Sequence, residues 1–350
     1  DFIAFNDDDV RVQLLNLETG DIRTIDVGGV NLERGDMDLS WSPDSKWLAY
    51  SKTAANNFKR IHVWSMETGE VHTMTNPLAH CEHPAWDRDG RHLYFVSSTN
   101  LALGSGWANT SSMMADPEYS CFVINLRAED ASPFELRSDE EEVEEAASDT
   151  EEGDSKKKKD KDSDKQEDGD AEANAVTIDF EGIEARTIAI PMKTARYSFL
   201  VAGPSGSFFV GERKSDGGGT AVHKFTLEDR EASLFTENAS RFTVSADGKK
   251  AIARTGGSWK LFDTGGDSGK GEALNVNLRM DLDRFAEWKQ IFEEAWRYQR
   301  DYFYDPDMHG RDWDRVYDRY ARLVPFIRHR SSLNYVLDQM NGELSVGHSF

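Results

Sequence analysis

Near one end of the sequence, Gly342-Glu343-Leu344-Ser345-Val346-Gly347 runs into His348, and that lone imidazole is where chemistry is expected. Histidine exchanges a proton near neutral pH, which suits it to general acid–base work. A single histidine on a short strand is more often a satisfied structural residue, so spacing alone leaves both readings open. Three other clusters hold reactive residue types. His80-Cys81-Glu82-His83 sets soft and hard metal ligands close together, but it falls just before a repeated turn and reads as a loop. Gly266-Asp267-Ser268-Gly269 has the form of a trypsin-type nucleophile, yet it sits in a Gly/Ser/Asp-rich loop with no histidine before it in a fitting context. Asp160-Lys161-Asp162-Ser163-Asp164 imitates a calcium loop, but Lys165 stands where glycine is required and no glutamate follows at the twelfth position. No G-x-S-x-G elbow occurs, and nothing calls for a cofactor or a bound metal.

The segment before His348 must be placed by helices. Phe285, Trp288, Phe292, Ala295, Gln299 and Tyr302 recur at steps of three or four, which puts one mostly apolar face on a helix. Asp305-Pro306 ends it, because proline lacks a donor and pushes its predecessor out of the α region. Trp313, Val316, Tyr317, Tyr320 and Leu323 predict a second helix that stops before Pro325. Leu333, Val336, Leu337 and Met340 predict a third, capped by Ser331 or Ser332 and terminated by Gly342 in a left-handed conformation, with a short strand after it. Residues 281–350 therefore read as an all-α segment.

Upstream the period changes. Phe5, Tyr50 and Phe95 lie 45 residues apart, and each ends a similar strand. Trp41-Ser42-Pro43-Asp44-Ser45-Lys46, Trp86-Asp87-Arg88-Asp89-Gly90-Arg91 and Ser245-Ala246-Asp247-Gly248-Lys249 are versions of one turn; Leu17-Glu18-Thr19-Gly20 and Met66-Glu67-Thr68-Gly69 are versions of another. Such turns between alternating strands are hairpin signals, and short strands repeating at this period describe β-propeller blades. The expected fold is mainly β: a partial propeller of four to five blades over 1–280, the first entered midway, followed by the helical segment. A β-sandwich or unrelated meanders are the competing architectures. Ser97–Ser120 is too long for a hairpin loop and reads as an extended tip. Residues 138–175 are charged and nearly devoid of apolar side chains, which predicts a disordered insertion inside one blade, with strands resuming at Val176-Thr177-Ile178-Asp179-Phe180. A polyelectrolyte docking tail is the alternative reading of that insertion.

Charge and composition exclude several classes. Between Asp139 and Glu172 stand 17 acidic side chains and 6 lysines, leaving about −12 of the formal −23 for the rest, which argues against a nucleic-acid partner. Two cysteines, Cys81 and Cys121, make no disulfide framework and suit a reducing compartment. No apolar run approaches the roughly 20 residues of a membrane span. The sequence opens inside a repeat without a methionine and reads as a piece of a longer polypeptide, so a missing secretory signal weighs little. The sequons at Asn109 and Asn238 would matter only in a secreted protein.

Several words in the helical stretch resemble the start of the catalytic core of the tricorn protease family. They are Glu287-Trp288-Lys289-Gln290-Ile291-Phe292, Tyr302-Phe303-Tyr304-Asp305-Pro306-Asp307-Met308-His309-Gly310, Asp312-Trp313, Leu333-Asn334-Tyr335 and Gly342 to His348. Leu39-Ser40-Trp41-Ser42-Pro43-Asp44 and Asp179-Phe180-Glu181-Gly182-Ile183-Glu184-Ala185-Arg186 resemble the same family's second propeller. The resemblance implies a cytoplasmic serine peptidase that assembles as a homohexamer and trims oligopeptides released by larger proteases. Its site pairs a serine nucleophile and a glutamate from a second core segment with a histidine and a neighbouring serine from the first. His348 matches that histidine, as general base, while Gly347 stands where the auxiliary serine is expected. The nucleophile and glutamate would lie beyond Phe350, so the 350 residues alone should hydrolyse nothing. The propeller would act as a size filter for peptides. The alternative is a non-catalytic propeller that binds proteins or peptides, with the helices as a docking module. A gene continuing past Phe350 into a PDZ-like stretch and a segment bearing serine and glutamate would decide for the enzyme.

Overall fold

The repeated turns fold as local hydrogen-bonded units and set the strand rhythm. Ser42 donates its hydroxyl to Asp44 Oδ1 (2.6 Å), which also accepts from Lys46 N; Ser245, Asp247 and Lys249 repeat the same bonds. Gly20 and Gly69 close the other turn at φ 75° and 74°, each donating its N–H four residues back. The structure is a computed structural model and describes residues 1–7, 9–28, 37–99, 117–135, 175–214, 219–266 and 271–347. It divides into two units, Asp1–Asn275 and Val276–Phe350.

The first unit is built of antiparallel sheets whose strands follow one another in chain order. Strands β1 (Phe2–Asn6), β2 (Arg11–Asn16) and β3 (Ile22–Val27) form the first blade. β4 (Ser40–Trp41), β5 (Trp47–Thr53), β6 (Lys59–Ser65) and β7 (Val71–Thr73) form the second. The third contains β8 (His80–Trp86), β9 (His92–Ser98), β10 (Ser120–Asn125) and β11 (Thr187–Ala189). The last sheet has seven strands: β12 (Tyr197–Ala202), β13 (Ser207–Arg213), β14 (Thr220–Thr226), β15 (Ala232–Val244), β16 (Lys250–Thr255), β17 (Ser258–Asp263) and β18 (Glu272–Ala273). It is two blades joined by one long strand. β15 pairs with β14 up to Ala239 and with β16 from Ala239 onward, closing the fourth blade and opening the fifth.

Apolar side chains are buried between neighbouring blades. Tyr94 of the third blade meets Phe208 of the fourth at 5.0 Å between ring centroids, and Phe208 stacks on Phe225. Phe209, Phe235, Phe242 and Phe262 join the fourth blade to the fifth. Each fully buried ring stabilises the packed blades by about 1.5–3 kcal/mol. Polar pins add direction: Trp86 Nε1 donates to Ser40 O at 3.0 Å, tying the third blade to the second.

The insertion does interrupt one blade, since its flanks β10 and β11 pair in the same sheet. Residues 136–174 lie outside the described residues, as do 100–116 of the expected tip and the calcium-like run. The expectation that a strand resumes at Val176–Phe180 is not met. That stretch is coil that pairs with no strand, because β11 takes the free edge of β10. It crosses instead to the second blade: Val176 N donates to Asp44 Oδ2 (3.0 Å), Trp47 Nε1 donates to Val176 O (3.3 Å), and Phe180 stacks on His72. Arg186 then gathers the carbonyls of Asn125, Asp179 and Glu181, which gives the 179–186 word its physical purpose.

One buried histidine sets an acid limit on this unit. His62 on β6 is 8% exposed, stacks on Tyr50 and meets Thr73 Oγ1 at 3.2 Å. Burial, helped by the nearby Lys52 cation, pushes its pKa down to about 4. The unfolded chain protonates near the ordinary value of about 6.5 and the folded one only near 4, so stability is full above pH 6.5 and falls as pH drops through that window. The expected loss is about 3 kcal/mol. Urea midpoints measured at pH 7 and 4.5 should converge in His62→Gln; an unaltered slope would clear this residue.

In the second unit, α1 (Arg284–Tyr302) starts where Asp283 accepts from Phe285 N and Ala286 N. α2 (Trp313–Ala321) starts where Asp312 accepts from Arg315 N. Trp296 and Trp313 each donate their indole N–H to the other's carbonyl at 3.0 Å, stapling α1 to the start of α2. α3 (Arg330–Gly342) departs from expectation at both ends. It begins before Ser331, at His329, with no side-chain cap, and it runs through Gly342. Glu343 continues in right-handed geometry, and the left-handed turn falls at Ser345, φ 54°. Residues 343–347 are turn and coil rather than the expected strand. Among the described residues, no helix is long and apolar enough to cross a membrane.

Candidate functional site

His348 lies outside the described residues; what the structure describes is the backbone that leads to it. That backbone is held from several sides. Leu344 is fully buried in the helical core, and Glu343 Oε1 accepts from Arg319 (2.5 Å) and from the Tyr320 hydroxyl (2.9 Å) on α2. His309 Nδ1 lies 3.0 Å from Leu344 O and donates to it, while the Tyr304 hydroxyl contacts Nε2. The carbonyl fixes the tautomer, because only a protonated Nδ1 can bond to it. Met308, His309 and Gly310 are all left-handed (φ 50°, 54° and 72°), and Asp305 Oδ2 steadies the turn by accepting from His309 N. Two such non-glycine residues in a row cost about 1–3 kcal/mol each. The Met308-His309-Gly310 word thus serves to aim an imidazole at residue 344, a role its spacing did not disclose. A Cβ on Gly347 would meet no heavy atom within 4 Å, so the described surroundings do not demand glycine there.

In the propeller unit, the first strands of four blades frame one cavity of about 960 Å³. β4, β8, β12 and the second half of β15 supply its wall, with Ser40, Trp86, Leu200 and Phe242 among the lining residues. Arg88 crosses the end where these strands finish. From the third blade its guanidinium donates to Ala202 O (3.0 Å), Gly203 O, Ser245 O (2.9 Å) and Ala246 O (3.1 Å), the turns of the fourth and fifth blades. Asp38 and His83 meet at 2.8 Å at the opposite end. Burial alone would favour neutral groups there, but their mutual hydrogen bond and charge prevail, lowering the Asp38 pKa and raising that of His83.

The His80-Cys81-Glu82-His83 quartet is in a strand, correcting its reading as a loop. Strand alternation splits the four: His80 and Glu82 share a face and meet at 3.4 Å, while Cys81 points away from them. Cys81 turns into the core beside Ser97 (3.4 Å), while His80 accepts from Lys59 N through Nδ1. Glu82 takes Lys59 Nζ at 2.8 Å, and a bulge between Glu82 and Ala85 swings His83 to Asp38. Burial opposes the Glu82 charge, yet His80 and Lys59 hold its pKa well below the usual range. No metal-ligand convergence remains in it. Among the described residues, Asp87, Asp89 and His92 do come together, but Asp87 is spent on Gly206 N (3.0 and 2.9 Å) and the Tyr94 hydroxyl. Asp89 is spent on Arg91 N and His92. This is turn architecture. Gly266 of the nucleophile-like run follows β17, and its next three residues lie outside the described ones.

Comparisons with known proteins follow the same division. Residues 1–265 match the Tricorn protease second beta propeller domain, and residues 284–342 match the Tricorn protease C1 domain. Tricorn protease homolog 1 of Streptomyces coelicolor is 28% identical over 372 aligned positions, covering 99% of this chain and 32% of the relative. A putative Tricorn-like protease C-terminal subunit of Sulfurisphaera tokodaii is 25% identical, covering 99% of this chain and 38% of its own length. A crystal structure of the tricorn protease superposes with a TM-score of 0.74 at 20% identity, over 100% of this chain and 32% of that one, a likeness of fold. The chain spans about a third of the length of the curated relatives it matches. With a propeller model matched along three quarters of its length and the C1 helices directly after, the chain belongs to the tricorn protease family.

Proposed function

We propose that this chain is the propeller and first core segment of a tricorn-like serine peptidase that degrades oligopeptides, with His348 as its general base. A serine hydroxyl attacks a peptide carbonyl poorly unless a nearby imidazole takes its proton as the bond forms. The serine and its glutamate partner would come from elsewhere on the polypeptide. The observation that carries this reading is the turn that precedes position 348, anchored through the burial of Leu344, the bonds to Glu343 and the bond from His309. Preorganisation of this kind is what a proton-transfer pair requires, since small misplacements are costly. Gly347 offers no hydroxyl, so the imidazole would be oriented by a backbone group, a water or a residue supplied elsewhere. The cavity framed by the innermost strands would admit extended peptides and refuse folded proteins. Homohexameric assembly and a cytoplasmic location complete the proposal.

The test compares two proteins. The complete polypeptide should turn over short peptides and react with a fluorophosphonate serine probe, whereas the 350 residues alone should do neither. Robust hydrolysis by the 350-residue chain that persists in His348→Ala, or an inert complete polypeptide, would sink the reading.

A further inference from the structure

At the end of the cavity where the innermost strands begin, the wall carries free charge of a single sign. Arg213 closes β13 in the ladder row that contains Thr220 and Ala239. Arg241 follows on β15 directly opposite Arg254 of β16. Arg213 and Arg241 line the cavity. Opposed like charges repel across antiparallel strands, so this arrangement works against folding unless something else uses it. The neighbouring acids among the described residues are already committed. Glu212 is taken by Lys193 (2.7 Å) and His223 (2.9 Å), and Glu237 by Lys214 (3.0 Å). Asp38 is the one carboxylate among the described lining residues, and it holds His83 (2.8 Å) and the Ser51 hydroxyl (2.7 Å). The side chains of Arg213, Arg241 and Arg254 have no ion-pair or hydrogen-bond partner among the described residues. In a chain with a formal charge of −23, two guanidinium groups with no partner among the described residues thus line this opening, with Arg254 paired across the ladder from one of them.

We propose that this arginine cluster is an anion-binding site that captures peptide carboxylates at the mouth of the propeller cavity, with Arg213 and Arg241 as the recognising residues. The site rests on the reading of the cavity as a passage for peptides and assigns it a preference. Guanidinium groups present a planar fork that matches a carboxylate in bidentate geometry, and clustered charge of one sign raises the local concentration of oppositely charged ligands. Two sources could supply the carboxylate: acidic side chains or the peptide's own C-terminus.

Fluorescence anisotropy on the 350-residue chain separates them with three labelled peptides of equal length. One is glutamate-rich with an amidated end, one neutral with a free C-terminal carboxylate, and one neutral and amidated. At low salt at least one carboxylate peptide should bind about tenfold more tightly than the neutral amide, equivalent to about 1.4 kcal/mol. Salt should erase that difference, as should the double variant Arg213→Gln/Arg241→Gln. Preference for the glutamate peptide alone identifies side-chain acids; preference for the free C-terminus alone identifies terminal capture. Equal binding of all three, or selectivity that survives in the double variant, overturns the proposal and leaves the peptide passage standing. No binding by any peptide overturns both. Arg241→Gln removes the opposition to Arg254, so it should melt no lower than the parent chain; a lower melting temperature would mark the arginine as structural and overturn the assignment.

Discussion

In the complete polypeptide, His348→Ala is expected to lower kcat toward short peptides by about 10²–10⁴-fold, the range that a positioned general base supplies. KM should stay within about twofold, because the imidazole acts on a proton that moves in the transition state and adds little to ground-state binding. The acid limb of the kcat/KM profile, which a general-base imidazole sets in the parent enzyme, should vanish with it. Steady-state assays across pH 5 to 9 measure all three quantities. A variant retaining more than about a fifth of the parent kcat would remove His348 from proton transfer. His348→Gln adds a check, since an amide keeps polar volume but cannot accept a serine proton at neutral pH.

Arg88→Ala is expected to destabilise the propeller unit by about 3 kcal/mol, measured by urea unfolding of the 350-residue chain. The guanidinium serves carbonyls of Ala202, Gly203, Ser245 and Ala246, so truncation strips four acceptors on two blades of one charged donor. Its stem also passes beneath Gly248, where an added Cβ would come within 2.8 Å of Nε. Arg88→Lys should recover only part of the loss, because an ammonium cannot fork across several carbonyls. A cost below about 1 kcal/mol in Arg88→Ala would mean that water replaces the guanidinium at this partly exposed site.

Where one residue's bonds stay within its own few neighbours, the sequence was readable. The Ser-x-Asp turns at 42–46 and 245–249 close on their own side chains, so recurrence of the letters was recurrence of the structure. Asp283 and the Asp305-Pro306 break bounded α1 for the same local reason. Local preference was outvoted elsewhere. Val176–Phe180 has strand-forming residues, but β11 takes the edge of β10 beside it, so it became a lace between blades. Gly342 was free to turn left-handed, but the helix continues through it and the following turn buries Leu344 completely.

The candidate site divides along the same line. The family of the chain was legible because contiguous residues carry it, and the seven-residue word ending in His348 remains the place where the proposal sets its chemistry. The bond from His309 to Leu344 joins residues 35 positions apart, and the cluster of Arg213, Arg241 and Arg254 is gathered from three strands. Sequence by itself determined the blade rhythm, the helices and the committed turn chemistry, since each depends on dihedral preferences and hydrogen bonds within a few residues. Only the tertiary structure decided which distant side chains share a cavity or hold a turn. The cavity placements depend on sheet register, and a shift of one residue would send those side chains to the opposite face; the turn at Leu344 depends instead on how the helices pack.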